Sequence, residues 1–149
     1  MVNENLKLRG EVALVLKGAD GKVKESRKIK NLIVNDGLEF ICSRMAGTSA
    51  NVMSHMALGS GTTAAAAGQT DLVSILGSRE ALDSSTPSSN TIAYIASFEA
   101  SEGTGAVTEA GIFNAATGGD MLCRTVFSVV NKEADDTMSV TWTITLTAS

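Results

Sequence analysis

The stretch MSVTWTITLTA, residues 138–148, decides the fold. Met138, Val140, Trp142, Ile144 and Leu146 fall on one side of an extended chain, and Ser139, Thr141, Thr143, Thr145 and Thr147 fall on the other. A period of two over that length is the signature of a strand with one face on a core and one face on water or a partner. Trp142, flanked at that period by Val140 and Ile144, is expected to anchor the core.

The same rhythm recurs upstream. REALDSS, TIAYIASFEA, AVTEAGIFN and DMLCRTVFSVV read as strands, and SSTPSSN (84–90), SEGTG (101–105), ATGGD (116–120) and NKEADD (131–136) read as the breaks between them. TEAGIFNAATGGDMLCRTVF, residues 108–127, is a hairpin carrying a dense apolar run, with Gly111 allowing a close approach or a bulge and Glu109 able to cap a turn or pair across strands. At the start of the chain LKLRGEVALVLK alternates, GADG (18–21) turns it, and KVKESRKIKNLIV returns as the second arm of a long hairpin.

One helix interrupts this pattern. After the Asn35-Asp36-Gly37 break, LEFICSRMAG places Leu38, Ile41, Cys42 and Met45 at helical spacing, with Gly47 where a C-terminal glycine belongs. The spacing predicts a short helix near residues 37–46 with those four side chains inward. MSHMALGSG reads as a brief strand, and TTAAAAGQTDLVSILG as a loop with a turn or two of helix over Thr70–Leu76, Thr70 being the N-cap. The expected fold is all-β in the main: an antiparallel β-sandwich or jelly-roll-like single domain over residues 1–149, with seven or eight strands and one short α-helix.

Composition agrees with one globular domain. A chain of 149 residues can bury about 70% of its unfolded surface. With 44% hydrophobic and 19% charged residues it is too apolar for a disordered tail and too interrupted for a membrane span. The net charge of −4 argues against nucleic acid as a partner, although Lys22, Lys24, Arg27, Lys28 and Lys30 cluster early. That cluster fits a solvated edge strand protected by lysine, or a contact with an acidic partner. MVNENLKLRG has no charged-then-apolar leader pattern, so synthesis in the cytoplasm is expected.

Candidate chemistry is sparse. Cys42 and Cys123 fit no ligand or redox spacing, and both sit in apolar runs, which favours buried free thiols over a disulfide. His55 is the only histidine, without a local partner for catalysis. GSGTT (59–63) looks like a phosphate-binding loop but lacks the lysine that reaches the phosphates. Asp135-Asp136, and Asp36 with Glu39, lack the spaced oxygens of a calcium loop and read as solvated turn carboxylates. No catalytic, cofactor-binding or metal-ligating residue is assigned, no cofactor is expected, and an enzyme is the last of the function classes.

Four stretches in order carry a resemblance: KNLIVNDGLEFICSRMAG (30–47), HMALGSGTTAAAAGQTDL (55–72), TEAGIFNAATGGDMLCRTVF (108–127) and SVTWTITL (139–146). Together they resemble small virion structural proteins of tailed bacteriophages, on Lys30, Asn31 and Gly37; Ala57, Gly59, Gly61, Thr62 and Thr63; Thr108, Glu109, Gly111 and Phe113; and Thr141, Trp142, Thr143 and Ile144. The resemblance implies a virion protein, foremost a capsid decoration or cement protein on the head shell. Its partners would be the major capsid protein and copies of itself in symmetric contacts. Similar segments in tail fibres and appendages imply the alternative, a fibre-attachment, collar or baseplate module bound to tail proteins. A carbohydrate- or receptor-binding module would call for exposed aromatics, and Trp142, Tyr94 and the four Phe lie mostly on apolar strand faces.

Overall fold

The computed structural model describes residues 5–48 and 50–148, so the first four residues, on which the leader reading partly rests, lie outside it. The chain runs β1 (Leu6–Lys17), β2 (Val23–Lys30), β3 (Leu32–Ile33), α1 (Asn35–Met45), β4 (His55–Gly59), β5 (Glu80–Ala81), β6 (Ser84–Ser88), β7 (Thr91–Phe98), β8 (Gly105–Phe113), β9 (Met121–Lys132) and β10 (Thr137–Ala148). Two antiparallel sheets result, ordered β2-β1-β10-β7-β6 and β3-β9-β8-β4-β5. The fold is an all-β, sandwich-like arrangement with one short helix, as the strand rhythm predicts.

The core lies between the sheets. Val12, Leu14 and Leu16 from β1, Tyr94 and Phe98 from β7, and Val140, Trp142 and Ile144 from β10 meet Met56, Leu58, Ala110, Ile112 and Val130 of the second sheet. Trp142 is fully buried, so the inward face of 138–148 is the one its alternation predicts. Gly10 interrupts the apolar alternation of β1 for a physical reason. A Cβ there would collide with the carboxamide of Asn31, the residue at which the chain leaves the first sheet for the second.

Ten strands form among the described residues where the pattern predicts seven or eight. The excess comes from short strands: β3 and β5 have two residues each, and SSTPSSN, read as a break, supplies β6. Pro87 sits there on an outermost strand, where its missing N–H costs little ladder bonding. The returning arm of the opening hairpin also does not continue through NLIV, because Leu32 and Ile33 pair with Arg124 and Cys123 of the other sheet.

The helix is rotated from its predicted orientation. Gly37 and Phe40 are buried, Ile41 is half-buried, and Leu38, Cys42 and Met45 face solvent, Met45 at 83% exposure. A Cβ at Gly37 would run into the backbone carbonyl of Leu122, so only this glycine lets the first turn of α1 lie on β9. That contact turns the Leu38 stripe outward and leaves the Cys42 thiol exposed, while Cys123 is buried as expected and both thiols are free. The Asn35-Asp36-Gly37 stretch, read as a break, is the first turn itself. The helix ends as the sequence predicts, with Gly47 at φ 69° just past Ala46.

Candidate functional site

The segment from Ser60 to Arg79 forms a strap laid across the outer face of the second sheet. It contains no helical turn over Thr70–Leu76; that stretch is irregular and bent, with Ile75 bridged to Gly59 and the Ser60 N–H donating to the Ser74 carbonyl at 2.8 Å. Leu72 packs into the small core beneath the strap and Leu76 against the main core, which fixes this stretch in a non-helical path. Its amides are instead satisfied from below.

Glu109 provides that satisfaction. Its Oε1 accepts the N–H of Gly61 at 3.0 Å and of Ser74 at 2.7 Å, and its Oε2 accepts the N–H of Val73 at 3.1 Å. Arg124, on the neighbouring strand β9, donates its Nε to Oε2 at 2.9 Å and places Nη2 2.7 Å from the same oxygen. Both side chains are fully buried. Burial works to raise the Glu109 pKa, but the bonds from Ser74, Val73, Arg124 and Gly61 outweigh it and hold the carboxyl below its ordinary range. Arg124 extends the network upward, its Nη1 donating to the Thr63 carbonyl and to Gln69 Oε1, each at 2.9 Å.

The glycines of GSGTT serve this cradle. A Cβ at Gly59 or at Gly61 would lie 2.5 Å from Glu109 Oε1, closer than any real contact allows. The loop therefore receives a carboxylate of its own chain where a phosphate loop would receive an anion. Thr108 donates its hydroxyl to the Gly61 carbonyl at 2.8 Å, and Gly111 leaves room for Leu72, which joins Val34, Ala57, Phe113 and Met121 in a small second core beneath the strap. Glu109 thus both caps a loop and pairs across strands. Arg124 is the partner that strand pattern alone misses, although a lone cation inside DMLCRTVF is the signal for it.

The other singled-out residues stand apart from this network. His55 is half-buried, with Nδ1 2.8 Å from the Ser54 hydroxyl. Asp36 accepts the Met121 N–H at 2.7 Å, tying α1 to β9, and burial raises its pKa. Asp135 is exposed, but Asp136 is buried rather than solvated: it accepts Lys24 Nζ at 3.0 Å and the Glu133 N–H at 2.9 Å. Those bonds hold its carboxyl low, that from Glu133 first. Among the described residues no group of three or more His, Cys, Asp or Glu is placed to hold a metal ion, and no helix is long and apolar enough to cross a membrane.

The outer face of the first sheet is built differently. Directly opposed residues share a face, so the register lays out rows across the strands. One row runs Lys28, Ala13, Thr141, Ile95, Ser84, and the next runs Lys30, Glu11, Thr143, Ala93, Thr86. None of these residues is buried, so no other described segment covers them. From β10 to β6 the rows are uncharged, with Ile95 their one large side chain, and the cations stand at the β1 and β2 side beside Glu11. No protein family, characterised protein or solved structure matches the chain.

Proposed function

We propose that this protein is a structural component of a bacteriophage virion, bound to the head shell as a decoration or cement protein. The ordered motifs from Lys30 to Ile144 support the reading, and one structural observation carries it: the two outer faces are unequal. The Glu109-held strap covers the outer face of the second sheet, whereas the rows mapped on the outer face of the first stay partly or fully exposed. A module closed on one side and open on the other suits attachment to a preformed surface. The major capsid protein is its partner, with copies of itself alongside, and repetition over a lattice lets modest single contacts add up.

The test is made on particles of the phage that encodes it. Purified particles should contain many copies, with density on the head lattice in a cryo-EM map. Particles assembled without the protein should form but release DNA at a lower temperature or on chelation. Full heat resistance together with failure to adsorb to cells would move the protein to the tail, as a fibre-attachment, collar or baseplate module. Absence from purified particles would overturn the virion reading altogether.

A further inference from the structure

We infer that the outer face of the first sheet is the docking surface, and that its occupant is a flat protein surface carrying carboxylates opposite Lys7, Arg9, Lys28 and Lys30. The inference rests on the virion reading and adds to it the face and the chemistry of the contact. Lys7 and Arg9 stand opposite Thr147 and Thr145 of β10, and Lys28 and Lys30 stand opposite Ala13 and Glu11 of β1, so all four project from one face. None of the four is in an ion pair with a described residue, although the chain as a whole is acidic at −4. Elsewhere the exposed cation Lys24 of the same strand is paired, with Asp136 and Glu133. A strip of unpaired cations on an acidic protein is complementary to carboxylates supplied from outside.

The neutral part of the face supports the same occupant. Protein contacts are depleted of charge at their centre and polar at their rim. Thr143 and Ala93 stand at such a centre, and the lysines form one rim. Five strands at about 4.8 Å and eight residues at about 3.3 Å give roughly 24 by 26 Å, on the order of 600 Å² in plan. That approaches the area of about 800 Å² per partner that a stable complex uses. Nucleic acid is the weaker candidate, since the face offers no exposed aromatic for stacking and most of it carries no cation.

The experiment compares three variants for incorporation into particles and for thermal stability in isolation. Thr143→Arg places a charge at the centre of the face, Lys28→Glu with Lys30→Glu reverses the rim, and Ala66→Arg alters the strap on the opposite side. The first two should lower the copy number in purified particles by roughly tenfold or more, the loss expected for about 1.4 kcal/mol per site. Their melting temperatures should stay near wild type, and Ala66→Arg should be incorporated normally. Wild-type incorporation of both face variants, or selective loss of Ala66→Arg, would overturn the inference while leaving the virion reading intact. Wild-type protein missing from particles would overturn both. Tight binding of the isolated protein to duplex DNA, abolished by the lysine reversal, would replace the protein partner with nucleic acid.

Discussion

The guanidinium of Arg79 lies 3.6 Å from the centre of the Phe113 ring. Its side chain is only 5% exposed, and Nη1 donates to the carbonyls of Ala115 at 2.9 Å and Gly118 at 2.7 Å. One side chain thereby joins the end of the strap to the tip of the β8–β9 hairpin. Arg79→Lys keeps the charge but loses the planar fork, so it should recover little of what Arg79→Ala loses. Each should destabilise by about 1–3 kcal/mol in denaturant unfolding. Equal stability of the lysine variant and wild type would show that charge alone matters.

Removing one member of the Glu109–Arg124 pair leaves the other charge buried without its partner. Glu109→Gln or Arg124→Met should each cost about 3–5 kcal/mol, and the double variant should cost less than their sum. In Glu109→Gln, protease nicking should then concentrate in Ser60–Arg79, because one carboxamide oxygen replaces the two carboxylate oxygens that accept the amides of Gly61, Val73 and Ser74. Additive losses with an uncut strap would contradict the network.

Acid should loosen the same cradle. The folded-state pKa of Glu109 is lowered, so its contribution is complete above the unfolded value and is lost as pH falls through the folded one. Asp136 acts in the same direction, and Asp36, with its raised pKa, acts in the opposite one. Melting temperature followed from neutral into acid should fall for wild type and fall less for Glu109→Gln. Parallel curves would assign the acid sensitivity elsewhere.

The two thiols should differ. Cys42 is exposed on α1, whereas Cys123 is fully buried and burial pushes its pKa well up. A thiol reagent in native buffer should modify one cysteine promptly and the second only after unfolding. Prompt modification of both would mean that β9 opens readily.

Trp142 supplies volume rather than a polar contact, since its Nε1 is buried without a hydrogen-bond partner. Trp142→Ala should cost about 3–5 kcal/mol, whereas Trp142→Phe, which leaves no new polar group unsatisfied, should cost distinctly less. Calorimetric melting of the two variants makes the comparison.

The long strands were legible because each carries its own signal: period two in 138–148 and in Thr91–Phe98 needs no knowledge of the neighbour. The orientation of α1 was not, because Leu38, Cys42 and Met45 form the more apolar stripe locally while the contact that decides the rotation, Gly37 on the Leu122 carbonyl, joins residues far apart in sequence. The strap was unreadable for the same reason. Its amides find their acceptor in Glu109, 35 or more positions downstream, and nothing between Ser60 and Arg79 repeats. Asp136 reads locally as a solvated turn carboxylate because its cation, Lys24, belongs to a strand far away in sequence.

The pairing of β1 with β10 along its whole length, from Leu6 opposite Ala148 to Lys17 opposite Thr137, governs the order of events during synthesis. β10 lies between β1 and β7, so the β1–β2 hairpin and the β6–β7 pair are not joined into one sheet until Thr137–Ala148 has left the ribosome. Until then Val12, Leu14 and Leu16 lack the cover of Met138, Val140, Trp142 and Ile144, and the sheet is open at its centre rather than at an edge. A stalled chain ending before Thr137 should therefore attract chaperones and proteases more than one that includes Thr137–Ala148.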